Sequence, residues 1–289
     1  MNQIETGPNI ERFAQLLKLQ RKTSIVDIGA NPIDGDPPYK SLLGSGVAQL
    51  LGFEPQEDAL AVLNQRKGEH EQYLSAAIGD GEVHTLYSTA APGMTSLLRP
   101  APEHLEVFTN FGTFGAIRQE LAVKTTRLDD LAEAQGADFI KIDIQGFELR
   151  AFQNAREILR HVSVIQTEVA FRPLYENQPL FSEIELELRA AGFVPHTLID
   201  LRTSPIKPAS FNNDPYQGLN QIREADCVFV KDFGKLDVLT NEQLKHYAMV
   251  IHSCYGSYDL VHHLLRELSS RRALDERVLG RYMALLSED

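Results

Sequence analysis

The sequence predicts an α/β fold, a mostly parallel sheet with helices on both faces, followed by a C-terminal helical extension. Three observations carry this. Short apolar runs that stop at glycine or an acid recur between residues 24 and 230, and segments of helical spacing separate them. Strands alternating with helices of about 10–15 residues call for parallel pairing through crossover helices. After residue 241 the strand signal ends and only helical spacing remains.

Taken in order, Ile10, Phe13, Leu16 and Leu17 predict a leading amphipathic helix over 9–20. Ser24–Ile28 reads as a buried strand stopped by Gly29. A Pro/Gly/Asp-rich loop follows, then a helix from about Pro37 and a strand over Gln49–Glu54. Gln56–Arg66 reads as helix, Tyr73–Ile78 and Val83–Ser88 as strands, and residues 89–119 as an irregular excursion over the sheet. Leu121–Thr126 resumes the alternation, Arg127–Gln135 reads as a short helix, and Asp138–Asp143 as strand. Phe147–Arg160 is predicted helical, Val162–Val169 strand, Leu180–Ala191 helix, and Phe193–Asp200 and Asp226–Val230 the last strands. Residues 1–235 are thus expected to form one domain and 236–289 the extension. Plain core packing is the expected role of these last helices, with a substrate lid or a homodimer surface as the alternatives.

Composition narrows the function. Of 289 residues, 43% are hydrophobic and 24% charged, ordinary for a chain that buries a core. No apolar run reaches the roughly 18 residues of a membrane helix, so no membrane span is expected. The opening MNQIETGPNIERF has two early acids and no apolar stretch, unlike a secretory signal. With only Cys227 and Cys254, a reducing compartment is expected, and the cytoplasm is the default address. The net charge of −12 and the lack of a basic stripe disfavour nucleic acid and point to a small-molecule or saccharide partner.

The first strand runs into Val26-Asp27-Ile28-Gly29-Ala30-Asn31. A glycine there lets a ligand approach the backbone, and the turn is expected to offer free N–H groups. Glu54 closes the second strand, near the spacing at which dinucleotide folds place an acid on ribose hydroxyls. A carboxylate accepts two hydrogen bonds from a cis-diol. A nucleotide-dependent oxidoreductase wants G-x-G-x-x-G, but after Gly29 the next glycine is Gly35. This favours a ligand with an adenosine ribose and no pyrophosphate, such as S-adenosylmethionine.

VDIGAN at 26–31, GFEP at 52–55, AIGDGE at 77–82, TRLDDL at 126–131, DFIKIDIQGFE at 138–148 and QTEVAFRPLYENQPLF at 166–181 resemble, in order, the motifs of the FkbM methyltransferase family. The resemblance implies a Rossmann-like class I methyltransferase sheet of seven strands, order 3-2-1-4-5-7-6, with one antiparallel strand. It also implies S-adenosyl-L-methionine as donor and O-methylation as the usual reaction. The family pattern places the methionine end of the cofactor at Asp27, Gly29, Ala30 and Asn31, the ribose on Glu54, and the adenine near Ala77–Asp80. The chain departs from the pattern after Asn31, where Pro32-Ile33-Asp34-Gly35 makes a longer, proline-bearing loop.

In an open α/β sheet, ligands lie beyond the carboxyl ends of the strands at the topological switch point. Asp143 and Glu168 end adjacent predicted strands there. An alcohol is a poor nucleophile until its proton is drawn away, so a carboxylate on that rim suits a base. Asp143 is the first candidate and Glu168 the second. Lys141, two positions before Asp143, is a third catalytic candidate, although pairing with Asp143 or Glu148 is its expected role, since a buried lysine is costly without a partner. His252, Cys254, His262 and His263 lack a four-ligand zinc spacing, so no metal site is expected. The hydroxyl pair Thr95 and Ser96, in the loop Met94–Leu98, is a weaker candidate for touching cofactor or acceptor. The expected function is O-methylation of a hydroxyl on a sugar, polyketide or other small metabolite. The rivals are an NAD-type oxidoreductase and a cofactor-binding module without catalysis.

Overall fold

The computed structural model describes residues 9–31, 35–212, 214 and 216–287. The proline-bearing stretch 32–34 lies outside the described residues, as do the first eight residues of the opening segment. Along the chain come α1 (Ile10–Leu17), β1 (Thr23–Ile28), α2 (Lys40–Gly44), β2 (Ala48–Phe53), α3 (Glu57–Arg66) and β3 (Glu71–Leu74). Next are β4 (Ala77–Ile78), β5 (Val83–Thr89), α4 (Pro102–Leu105), α5 (Phe111–Phe114) and β6 (Ile117–Thr126). Then follow β7 (Phe139–Ile142), α6 (Glu148–Gln153), α7 (Arg156–His161), β8 (Val164–Ala170), α8 (Phe181–Ala190), β9 (Phe193–Thr203) and β10 (Ile222–Lys231). The last helices are α9 (Asn241–Tyr255), α10 (Tyr258–Ser270) and α11 (Val278–Leu286).

Seven strands form one sheet in the order β3-β2-β1-β7-β8-β10-β9, with β10 antiparallel to both its neighbours and the other pairs parallel. Numbered within the sheet, this is the expected class I methyltransferase order 3-2-1-4-5-7-6. The two-residue period of a strand sorts its side chains between two cores. Ile25, Phe139, Val164 and Val228 face one layer, built from α1, α2 and the last three helices. Their chain neighbours Val26, Ile140, Ile165 and Phe229 face α6, α7 and α8. Both faces are covered, which is why these strands read as near-continuous apolar runs. α9 is buried from Leu244 to Cys254 and shares its core with the sheet.

Several elements differ from the pattern reading. The run Tyr73–Ile78 is two strands: a tight turn at Ala76, whose N–H donates to Leu74 O at 3.1 Å, ends β3. β4 then pairs with β6 in a separate small sheet, order β4-β6-β5, which the alternation did not predict. Arg127–Gln135 is not an α-helix but two 3₁₀ turns, because the Asp129 carboxylate bonds the Glu157 and Ile158 amides at 3.1 and 3.0 Å and so caps α7. That cap also starts a new helix within Phe147–Arg160, so the predicted single helix is α6 and α7 with a break at Asn154-Ala155. The excursion at 89–119 contains α4 and α5 and the beginning of β6.

Chain order reverses between β1 and β7. The crevice past their carboxyl ends is the switch point where an open α/β sheet takes a ligand.

Candidate active site

A cavity of about 630 Å³ lies over that crevice. Gly29, Asn31, Glu54, Ala77, Asp143 and Glu168, all anticipated from the sequence, line it together. Asp27, Ala30, Lys141 and Asp80 do not; they stand behind or beside the wall.

The turn after β1 is closed by its own backbone. Gly29 N and Ala30 N both donate to Phe53 O, at 2.9 and 3.1 Å, so the amides expected to be free are occupied by the end of β2. Glu54 follows Phe53 directly and is buried. Its Oε1 accepts the Gln56 backbone amide at 2.7 Å, and the Gln56 side chain also bonds the carboxylate. Burial raises its pKa, opposed by the backbone and side-chain amides of Gln56. Pro55, Ala76, Ala77 and Ile78 extend this end as a mostly apolar slot. Asp80 sits beside it, with His84 Nε2 at 2.8 Å and the Glu82 amide at 3.0 Å on Oδ1. Burial acts upward on Asp80, yet these bonds hold it below the usual carboxyl range.

Behind the wall runs a buried polar row on the α9 face. Tyr39 donates its hydroxyl to Asp27 Oδ2, and Lys141 Nζ stands 3.8 Å from Asp27 Oδ1. Lys141 therefore pairs with Asp27, not with Asp143 or Glu148 as expected: parallel register sets Asp27 beside Lys141 on adjacent strands. Gln166, next in register, donates to Asp226 Oδ2 at 2.6 Å and accepts from Tyr255 Oη of α9 at 2.8 Å.

Asp143 is pinned from its own turn. Gln145 Nε2 donates to Asp143 Oδ1 at 2.8 Å, and Tyr175 Oη fixes the amide by donating to Gln145 Oε1 at 3.2 Å. The turn needs left-handed backbone at Gln145 (φ 54°) and Gly146 (φ 101°). Glu148 holds it by accepting Ile144 N and Gly146 N on Oε1, at 2.9 and 3.2 Å. Fully buried beside Asp143, Glu148 has its pKa pushed up to about 7, burial being the main cause. Ser96 also braces this turn, donating to Gln145 O at 2.7 Å, so it supports the site as well as lining it.

Glu168 meets residues that no motif flagged. Arg202 Nη1 lies 3.1 Å from Glu168 Oε2 and 3.0 Å from Glu224 Oε1. Glu224 Oε2 pairs in turn with Arg223, whose guanidinium also donates to Ser204 Oγ and lies over the Phe111 ring at 4.8 Å. Burial, then Glu224 and Asp143, raise the Glu168 pKa well above the ordinary value; Arg202 opposes them. Arg202, Arg223 and Glu224 come from the ends of β9 and β10. Arg223-Glu224 is an Arg-Glu pair beside an apolar strand, and Arg202 carries no comparable signal in the sequence. His252 is buried against Phe13 and Tyr282, and His262 is exposed, so the histidine-rich tail lies apart from the cavity lining. Among the described residues no group of three or more His, Cys, Asp or Glu is arranged to hold a metal ion.

Comparison with known proteins bears on this site. No curated protein matches the chain. Similar solved structures include a putative methyltransferase from Thermoplasma acidophilum, 13% identical over 74% of this chain and 70% of that one, TM-score 0.37. Another is methyltransferase FkbM from Methylobacillus flagellatus, 13% identical over 77% of this chain and 50% of that one, TM-score 0.37. A third is a precorrin-6y C5,15-methyltransferase from Geobacter metallireducens, 12% identical over 77% and 87%, TM-score 0.35. Residues 27–195, more than half of the chain and spanning Asp27, Glu54, Asp143 and Glu168, match the methyltransferase FkbM domain, and the chain belongs to the FkbM methyltransferase family.

Proposed function

We propose that the protein transfers a methyl group from S-adenosylmethionine to a hydroxyl oxygen of a small acceptor in this cavity. One observation carries the reading: a buried acid (Glu54) and two further carboxylates (Asp143 and Glu168) line a single cavity at the switch point. The residues at the Glu54 end suit an adenosine. Glu54 would take the ribose diol, the slot at Pro55 and Ala76–Ile78 the adenine, and Gly29 and Asn31 would border the methionine end. When bound, the cofactor supplies an electrophilic methyl on a sulfonium.

The protein's part is positioning and proton removal. Asp143 is held by Gln145 and Tyr175, so its orientation is set before an acceptor arrives, which lowers the entropy cost of reaction. It draws the proton from the acceptor hydroxyl. Glu168, with a raised pKa and anchored by Arg202, orients that hydroxyl and is the second proton acceptor. The polar row beneath, Asp27 to Gln166, keeps the strand ends at fixed spacing.

The test is a panel of hydroxylated sugars and aglycones with methyl-labelled S-adenosylmethionine, alongside calorimetry with S-adenosylhomocysteine and NAD. Labelled methyl ethers and micromolar binding of S-adenosylhomocysteine are expected. Binding of NAD in its place, or methylation only on nitrogen or carbon, would overturn the reading.

A further inference from the structure

The far end of the cavity has a charge pattern that bears on the acceptor. Asp143, Glu168 and Glu224 line it, against two cations, Arg202 and Arg223. Both cations are already committed. Arg223 is 4% exposed and held by Glu224, Ser204 and the face of Phe111. Arg202 serves Glu168 and Glu224, with Asp226 Oδ1 at 4.0 Å from its Nη2. Two carboxylate oxygens remain without hydrogen-bond partners among the described residues: Asp143 Oδ2, and Oε1 of Glu168, which is 6% exposed. The other wall is apolar, built from Met94, Leu174 and Phe111, and continues to the mouth in Leu201 and Tyr216, which are 51% and 57% exposed.

We infer that the acceptor is an alcohol with an apolar body and no negative charge, and that a basic nitrogen on it is favoured at Glu168. The inference rests on the methyl-transfer reading for the word acceptor, but its substance is the order in which charged alcohols enter the cavity. A phosphate or carboxylate on the acceptor would meet open carboxylates with no uncommitted guanidinium among the described residues lining the cavity, in a space where burial weakens screening. An ammonium group would meet the open Glu168 oxygen and, as a positive charge beside it, favour the ionised form that burial, Glu224 and Asp143 disfavour, making a charge-assisted hydrogen bond. The chain's net charge of −12 acts in the same direction at long range.

The test uses three probes on one frame: 4-(aminomethyl)benzyl alcohol, 4-methylbenzyl alcohol and 4-(hydroxymethyl)benzoate. Their binding to the intact protein loaded with S-adenosylhomocysteine is read by ligand-observed NMR at low salt. The ammonium probe should bind best, the methyl probe detectably, and the carboxylate at least tenfold more weakly than the ammonium probe. Glu168→Gln should erase the advantage of the ammonium over the methyl probe, and Leu201→Lys should improve the carboxylate. A carboxylate probe that binds as well as the others in the parent protein overturns the inference, as does failure of all three to bind. Because no chemistry is read, a protein that keeps this order but never methylates oxygen would overturn the methyl-transfer reading alone. Turnover of an anionic acceptor would overturn this inference alone.

Discussion

Gly29 and Asp143 meet backbone to backbone: a Cβ on Gly29 would stand 2.0 Å from the Asp143 carbonyl oxygen. Gly29 also has φ 80°, in the left-handed region that strains other residues. Both restrictions come from bringing the ends of β1 and β7 together at the switch point. Gly29→Ala is therefore expected to lose about 2–3 kcal/mol of stability, the scale of a strained backbone position plus a forced shift of its neighbour. Urea denaturation measures it, and S-adenosylhomocysteine affinity should fall as well. An alanine variant as stable as the parent would show that the contact is slack.

The relation explains what could be read in the sequence and what could not. Gly29 and Asp143 each lie at the end of a short apolar run, so these strand ends and the rim acids were legible from local pattern, while the strand order followed from the family resemblance. The amides of Gly29 and Ala30 were misjudged because their partner, Phe53 O, is supplied by another strand. Lys141 was assigned the wrong acid for the same reason: Asp27 is remote in sequence and adjacent only in register. The break at Asn154 arises where the Asp129 cap, a tertiary bond, overrides local periodicity, and the one at Ala76 is a local turn after which β4 pairs with the remote β6. Arg202 and Arg223 converge on Glu224 through β9 and β10, whose pairing carries register shifts that no spacing rule anticipates.

Glu54 carries the cofactor assignment. With Glu54 buried on the cavity wall and fixed by the Gln56 amide, Glu54→Ala should weaken S-adenosylhomocysteine binding by about 1.5–3 kcal/mol, the range for a hydrogen bond to a charged group. Titration calorimetry reads this directly. Unchanged affinity would move the ribose elsewhere in the cavity.

Glu148 predicts a pH dependence of stability. Its pKa in the folded chain is raised from 4.5 to about 7, so between these values the folded state holds a proton that the unfolded chain has released. Stability contributed by this group is full below about pH 4.5 and is lost as pH rises through about 7. Asp226, raised to about 6 chiefly by burial, adds in the same direction. Glu148→Gln keeps an oxygen for the Ile144 and Gly146 amides and no longer titrates. Its denaturation midpoint should fall less than the parent's between pH 5 and 7.5. Equal slopes for the two proteins would place the proton elsewhere.

Asp143 separates catalysis from binding. Its Oδ1 is fixed by Gln145, leaving Oδ2 for the acceptor hydroxyl, and that contact strengthens as the hydroxyl loses its proton. An interaction stronger in the transition state than in the ground state appears in turnover more than in affinity. Asp143→Asn, nearly the same shape without the charge, should fold and bind S-adenosylhomocysteine about as well as the parent. Its methyl-transfer rate should fall by roughly 10²–10⁴, the contribution of a positioned general base. Glu168→Gln should cost less if Glu168 mainly orients the acceptor. Single-turnover rates with saturating acceptor distinguish the cases. Should Asp143→Asn keep its rate while Glu168→Gln loses it, the two roles are exchanged, and the Arg202 clamp then holds the base itself. If neither change slows the reaction, positioning alone drives transfer and the carboxylate mechanism is wrong.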